Sequence, residues 1–537
     1  EGGARRARGN ASCGAGGAFP EAPGAVQIGK TWQTRELTEI RPPFLAKRTE
    51  NYGGTKVNDK RWPSLFVILA LLLPTLPVVG SAHPASEYLN GLAGIHPDLF
   101  ISSPLTSPGT VCRVSVASDG TQADRDSFRP SISADGRFVA FDSWASTLVP
   151  GDTGMSDVFV HDHLTEQTTR ASVASDGTQG NQSSFWPSIS ADGRYVAFTS
   201  RASNLVPDDT NGVWDVFVHD LQTRATTRVS VASDGTQGNG DSGGSSPLLY
   251  GLSISSDGRY VAFASHASSL VPGDTNGKWD IFIRDRQTGQ TTRVSVASDG
   301  AEGNDNSYGL GISADGRYVP FYSCASNLVS GDTNNTFDVF VHDRQIGQTT
   351  CVSVASDGTE GNGSSGGSSI SADGRYVAFG SRASNLVPGD SNGAYDAFVH
   401  DRQTGQTTRV SVASDETEGN GGSGSPSISA DGRYMEFYSR ASNLVPGDSN
   451  GACDVFVHDR QTGQTTRVSV ASDGTEANEE SGLYGSIISA DGRYVAFASG
   501  ASNLVANDTN GYRDVFVHDL GGGAFRVYLP VVVKNYP

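Results

Sequence analysis

The chain has 537 residues, with 66 Gly, 23 Pro and only 2 Met, and 18% of its residues are charged. Gly and Pro together make about one residue in six, which excludes a helical bundle or coiled coil and favours many strands joined by Gly-bearing turns. The formal net charge of −19 excludes nucleic acid as the expected partner, because phosphate binding needs a basic face.

Residues 1–61 differ in character from the rest of the chain. They are rich in Arg and Lys, carry no apolar periodicity, and read as a disordered leader or a mis-started frame. Residues 62–82 have the layout of a secretory signal peptide. Lys60 and Arg61 form the basic flank, 65–79 is an apolar run broken by Pro74 and Pro77, and Gly80 and Ala82 precede a cleavage site at His83. Two prolines and a short run argue against a stable span of ~20 apolar residues. The mature chain is therefore expected to be secreted or to lie in a bacterial periplasm or cell envelope, with no membrane span after cleavage. Residues 83–111 read as a linker. The five cysteines (Cys13, Cys112, Cys324, Cys351 and Cys453) are odd in number and do not recur from unit to unit, so neither a disulfide framework nor a thiolate metal site is expected.

Residues 112–520 repeat. Asp-Gly-Arg recurs with its Asp at Asp135, Asp192, Asp257, Asp315, Asp373, Asp431 and Asp491, a period of about 58 residues. Each unit offers four strand candidates: a short Ser-Ile-Ser, then RYVAFAS, DVFVHD and TTRVSV. Asp-Gly suits a two-residue hairpin turn between the first two, and RQTGQ is a polar turn between the last two. Four short antiparallel strands repeated seven times predict an all-β, seven-bladed β-propeller, whose blades bury their faces by stacking. The motif S-x-D-G-R-Y-[VL]-A-F followed by D-[VI]-F-V-x-D resembles the propeller repeat of the TolB family, a branch of the WD-type superfamily. This chain has Ala or Ser where that family has Pro before Asp-Gly, and its repeat is longer. The resemblance implies a protein-interaction role in the bacterial envelope.

The ends of the repeat predict how the ring closes. Residues 113–118 match a fourth strand with no first three before them, and the last unit, 487–520, has three strands without a matching fourth. An amino-terminal strand is expected to complete the last blade and remove an exposed edge. The alternative is a fourth strand from 525–529. The tail, 521–537, resembles short carboxy-terminal tails of exported bacterial proteins.

Alternate connections of consecutive antiparallel strands lie on the same face. The Asp-Gly and RQTGQ turns therefore share one face, and the two long loops share the other, which collects most of the Asp, Asn and Glu. Binding is expected there. The loop pattern G-D-[TS]-N-G-x-x-D offers oxygen ligands of the kind Ca²⁺ uses: Asp209, Asn211 and Asp215; Asp274, Asn276 and Asp280; Asp332, Asn334 and Asp338; Asp390, Asn392 and Asp396; Asp448, Asn450 and Asp454; Asp508, Asn510 and Asp514. The pattern is two residues shorter than the loops of calcium-binding propellers and lacks a third ligand. The competing reading is an Asx-turn. His161, His219, His342, His400, His458 and His518 recur once per blade and read as structural. GDSGG at 240–244 and GSSGG at 363–367 imitate protease motifs, but lie in a Gly/Ser-rich loop rather than a strand-to-helix elbow.

Aromatic residues differ from unit to unit. Ahead of the innermost strand stand Phe128, Phe185, Tyr250, Tyr308 and Tyr484, with Gly in the other two blades; ahead of the third strand stand Trp214, Trp279, Phe337 and Tyr395. Rings beside carboxylates and amides suit stacking on sugars or gripping a peptide, although they equally suit loop anchoring. The expected function is an exported, monomeric binding or scaffold module for a protein or polysaccharide, with calcium rigidifying the loops. The alternative is a polysaccharide lyase or glycoside hydrolase working in the central funnel, with the non-repeating Glu436, Glu479, Glu480 and His266 as its only acid–base candidates.

Overall fold

The computed structural model describes residues 109–244, 251–309 and 311–521. The leader, the signal segment, nearly all of the linker, the tail, the alternative strand at 525–529 and Tyr250 lie outside the described residues. Within them, 28 strands form seven four-stranded sheets. Blade 1 runs Ser127–Ile132, Phe138–Ser143, Asp157–Asp162 and Gln167–Arg170, each strand antiparallel to the next. Five more blades repeat this order.

The seventh blade is built from both ends of the repeat region. Ser481–Ile488, Tyr494–Ser499 and Asp514–Asp519 supply three strands, and Val111–Arg113 pairs with the last of them. The register sets Val111 opposite His518 and Arg113 opposite Phe516. The amino-terminal strand closes the ring, as expected, but it lies two residues earlier than 113–118. After Arg113 the Val114 amide still reaches across, to Val515 O, and Ser115 does so through its hydroxyl, which accepts the Val515 N–H. Then Ala117 N–H bonds Thr121 O, and the chain turns into its own loop. The fourth strand of blade 1 likewise stops at Arg170, so the Ala-Ser-Val that follows it belongs to the loop.

Two further local readings change. The innermost strand is longer than Ser-Ile-Ser and begins at Ser127, with a bulge between Phe128 and Ser131. Pro130 has no N–H for the ladder, and Arg129 takes a left-handed φ of 49° to pass it. The Asp-Gly connection is a longer loop: Gly136 N–H donates to Ser133 O, and Gly136 has φ 77° while Asp135 does not share that conformation. That is a type I turn closed by a left-handed glycine.

The core lies between blades. Seven apolar clusters fill the seven blade interfaces. Between blades 1 and 2, for example, Ala140, Val158 and Val160 meet Val196, Phe198 and Phe217. The alternation of RYVAFAS and DVFVHD sends successive side chains to opposite neighbours, so both faces of a strand are buried. Cross-strand Phe pairs such as Phe198–Phe217, with centroids 5.9 Å apart, recur, and each ring contributes about 2–3 kcal/mol by burial.

Candidate functional site

The long-loop face is assembled by hydrogen bonds between the two kinds of loop. Asn181 N–H donates to Asn204 Oδ1 at 2.9 Å, and Asn204 Nδ2 donates to Gln179 O at 2.8 Å. Ala202 and Leu205 beneath them are buried. Equivalent contacts hold Asn362 to Asn385 and Asn420 to Asn443. The face is thus a rigid rim on which non-repeating side chains are displayed.

All the described aromatic candidates are half-buried, and the structure divides them into groups. Tyr484 meets Phe128 across the junction of blades 7 and 1, at 5.7 Å between centroids. Phe185 meets Trp214 at 5.7 Å, and Tyr308 meets Phe337 at 6.0 Å. Trp279 packs on His266 at 5.8 Å. Tyr395 stands at the corresponding position of blade 5, and burial raises its phenol above the ordinary range.

Two aromatic residues that no repeat pattern singles out are more exposed than any of these. Trp144 is 38% exposed and Tyr512 is 43% exposed. With Arg125 and Asp126 they line a cleft of about 320 Å³ where the ring closes between blades 7 and 1. Asp126 is pinned by the Arg513 amide at 2.8 Å, and Ser127 N–H donates to Arg513 O, which joins the two blades beneath the cleft. Trp144 continues to Phe185 at 5.8 Å, and Arg513 lies 4.2 Å from the Tyr484 ring. Alongside, Arg129 pairs with buried Asp142 at 2.8 Å and covers the Phe128, Phe185 and Trp186 rings. Arg129 and Trp186 both hold left-handed φ angles, 49° and 56°, a strain that persists only where the surroundings impose it. Burial raises the Asp142 carboxyl, and the Arg129 charge opposes that rise.

The G-D-[TS]-N-G-x-x-D loops bring their carboxylates together, but their asparagines serve another purpose. Asn334 Oδ1 accepts the Thr336 N–H at 2.8 Å, while its amide donates to Asp338 Oδ2 and Gly361 O. Asn211, Asn276, Asn392, Asn450 and Asn510 donate in the same way to their blade's second Asp. The asparagine amide thus builds an Asx-turn and positions the Asp. The third carboxylate comes from the other long loop. Asp332, Asp338 and Glu360, then Asp390, Asp396 and Glu418, then Asp448, Asp454 and Glu476 each place one oxygen within 4.8 Å of the others. The buried second Asp accepts a Ser hydroxyl, as Asp338 does from Ser353 at 2.7 Å. Burial, and then the neighbouring carboxylates, push Asp332 up to about 7; burial also lifts Asp338, to about 6.

The remaining polar candidates are structural. His161, His219, His342, His400 and His458 bond a Thr hydroxyl of the fourth strand through Nδ1, at 2.8–2.9 Å. His518 bonds Val468 O at 2.7 Å, and burial lowers the pKa of every one of the six. Ser242 and Ser365, the centres of the protease-like strings, bond Ser265 and Ser381, a buried pair repeated as Ser127–Ser143 in blade 1. Glu480 pairs with Arg440 at 2.7 Å, and Glu436 is fully buried. Burial pushes the Glu436 carboxyl up to about 8, with a small opposing pull from Ser486.

The propeller is structurally similar to several proteins of this fold. TolB from Acinetobacter baumannii is 16% identical, with 64% of this chain and 63% of that chain covered and a TM-score of 0.35, so the match spans less than two thirds of TolB. Oligogalacturonate lyase from Vibrio parahaemolyticus is 13% identical over 76% of this chain and 93% of that chain, with a TM-score of 0.46. The β-propeller domain of the trilobed protease from Pyrococcus furiosus is 11% identical over 74% and 96%, with a TM-score of 0.44. These likenesses concern fold alone. No protein-family model and no curated protein matches the chain.

Proposed function

We propose that the protein is an exported binding module that holds a carbohydrate chain on its long-loop face, across the junction of blades 7 and 1. The observation that carries this reading is the cleft lined by Trp144, Tyr512, Arg125 and Asp126. Two exposed rings supply apolar platforms for the C–H face of a sugar, and the Arg and Asp beside them supply a donor and an acceptor for hydroxyls. The Phe128–Tyr484 and Phe185–Trp214 pairs support those platforms from below and extend the apolar surface around the rim. Arg129 and Trp186, held in strained conformations next to them, suit a surface whose shape is fixed before the ligand arrives.

The test is a glycan array probed with the full chain and with a Trp144→Ala plus Tyr512→Ala variant. Glycan binding by the native chain that disappears in the variant is the expected result. Equal binding by both, or no glycan binding by the native chain, overturns the reading.

A further inference from the structure

The seven blades solve one electrostatic problem in the same way, except for one. In blade 1 Arg170, at the end of the fourth strand, lies 3.0 Å from Asp152 and 3.6 Å from Asp157. Arg228 does the same for Asp209 and Asp215, at 3.1 and 3.5 Å. Arg293, Arg409 and Arg467 occupy this position in blades 3, 5 and 6, and Arg113 enters from the closing strand to serve Asp508 and Asp514. These arginines are nearly buried, with 9–11% of the side chain exposed. In blade 4 the position is Cys351.

The carboxylates do not diminish to match. Blades 7, 1 and 2 place a neutral Gln122, Gln179 or Gln237 in the second loop, whereas blades 3, 5 and 6 place Glu302, Glu418 or Glu476 there together with the arginine. Blade 4 has Glu360 and no arginine. Its three carboxylates, Asp332, Asp338 and Glu360, sit within 4.8 Å of one another, and no Lys, Arg or His pairs with them among the described residues. Asp332 Oδ2 is shut off from solvent and accepts no hydrogen bond. In the other blades the first Asp of the loop turns one oxygen to the guanidinium: Asp152 Oδ2 in blade 1, and Oδ1 of Asp209, Asp274 and Asp508 in blades 2, 3 and 7. A buried carboxylate oxygen without a hydrogen bond, in a cluster of three carboxylates with no cationic side chain to offset them, is costly unless something positive joins the cluster.

We propose that blade 4 binds one divalent metal cation at Asp332, Asp338 and Glu360, in the place that a guanidinium takes in the other six blades. Three carboxylate oxygens form a hard, oxygen-only donor set, which suits Ca²⁺ or Mn²⁺. Cys351, half-buried at this position, brings no positive charge where the other blades bring a guanidinium. The site is independent of the carbohydrate reading. Its role is local: it ties the 2–3 loop of blade 4, which carries Phe337, to the loop that carries Glu360.

The test is isothermal titration of the chelator-treated full chain with CaCl₂ and, separately, MnCl₂. One cation per chain is expected, with a raised melting temperature in its presence. Cys351→Arg installs the counter-ion that six blades already accommodate, and it should abolish uptake and the thermal shift. Arg467→Cys should create a second site in blade 6, where Asp448, Asp454 and Glu476 are already assembled. No uptake of either cation by the native chain, or unchanged uptake by Cys351→Arg, overturns the proposal. Should Cys351→Arg fail to fold, Arg467→Cys decides: two cations per chain support the site, and an unchanged single one overturns it.

Discussion

The two faces of the ring are built from the same strands but follow opposite rules. On the short-turn face the same contacts recur from blade to blade. Arg375 pairs bidentately with Asp401 at 2.9 and 2.7 Å, Arg402 lies 4.4 Å from the Tyr318 ring of the preceding blade, and Gly374 presses against that same ring. The bidentate pair and the glycine-on-ring contact recur around the circle, ending with Gly136 of blade 1 on Tyr494 of blade 7, and the second arginine recurs as Arg286, Arg344 and Arg460 in blades 3, 4 and 6. On the long-loop face the scaffold repeats, but the displayed side chains do not: Trp144 is followed at its position by Arg201, His266 and Cys324. Repetition marks the contacts that hold blades together, and its failure marks the surface where the proposed ligand is sought.

That contrast can be broken by experiment. Gly374→Ala drives a methyl group into the Tyr318 ring at φ 74°, and is expected to lower stability by about 4 kcal/mol, read by denaturant titration. A loss below about 1 kcal/mol would show that the interface yields easily. Arg493→Met removes the partner of Asp519, whose carboxylate is fully buried at 2.6 Å, and is expected to cost about 3 kcal/mol in the same assay. Glu436 tests a non-repeating residue in the interior, where the other blades have Ala or Pro. Its folded pKa is raised by burial to about 8 from 4.5. The native state therefore holds its proton more tightly than the unfolded chain. Stability is full below pH 4.5 and falls as pH rises towards 8. Glu436→Gln is expected to remove about 2 kcal/mol of that pH-dependent loss, visible as a flatter melting temperature between pH 5 and 8. The smallest effect on folding belongs to the long-loop face. Trp144→Ala with Tyr512→Ala should change stability by under about 0.5 kcal/mol while removing glycan binding. A large loss of stability in that variant would place the two rings in the scaffold instead.

The fold was legible because the sequence states it seven times. The recurrence of Asp-Gly-Arg and DVFVHD fixed blade number and strand order, and the stray RVSV ahead of the first full unit revealed how the ring closes. Strand ends were less legible, since backbone pairing decides them: Val-Ser-Val has strand composition, yet beyond Val114 its amides bond within the loop. Of the candidate sites, the two Asp of each loop were visible from spacing, but Glu360 was not, because it approaches from a loop 28 residues after Asp332. The signal was present as a substitution, Cys351 for Arg, at a position read only for its strand propensity. Trp144 and Tyr512 escaped because a search for aromatics shared by several blades passes over those that occur once.

The closing strand has a consequence in time. Arg113 emerges from synthesis long before Asp514, its partner 401 positions later in the chain. The closing strand Val111–Arg113 pairs with Asp514–Asp519, so this contact cannot form before the end of the last blade has been made. Until then Asp508 and Asp514 face each other without a positive charge, as the blade 4 carboxylates do without a guanidinium. The unfinished ring thus attracts the residue that completes it. Closure and charge neutralisation are one event, and the last blade becomes stable only when the first strand returns to it.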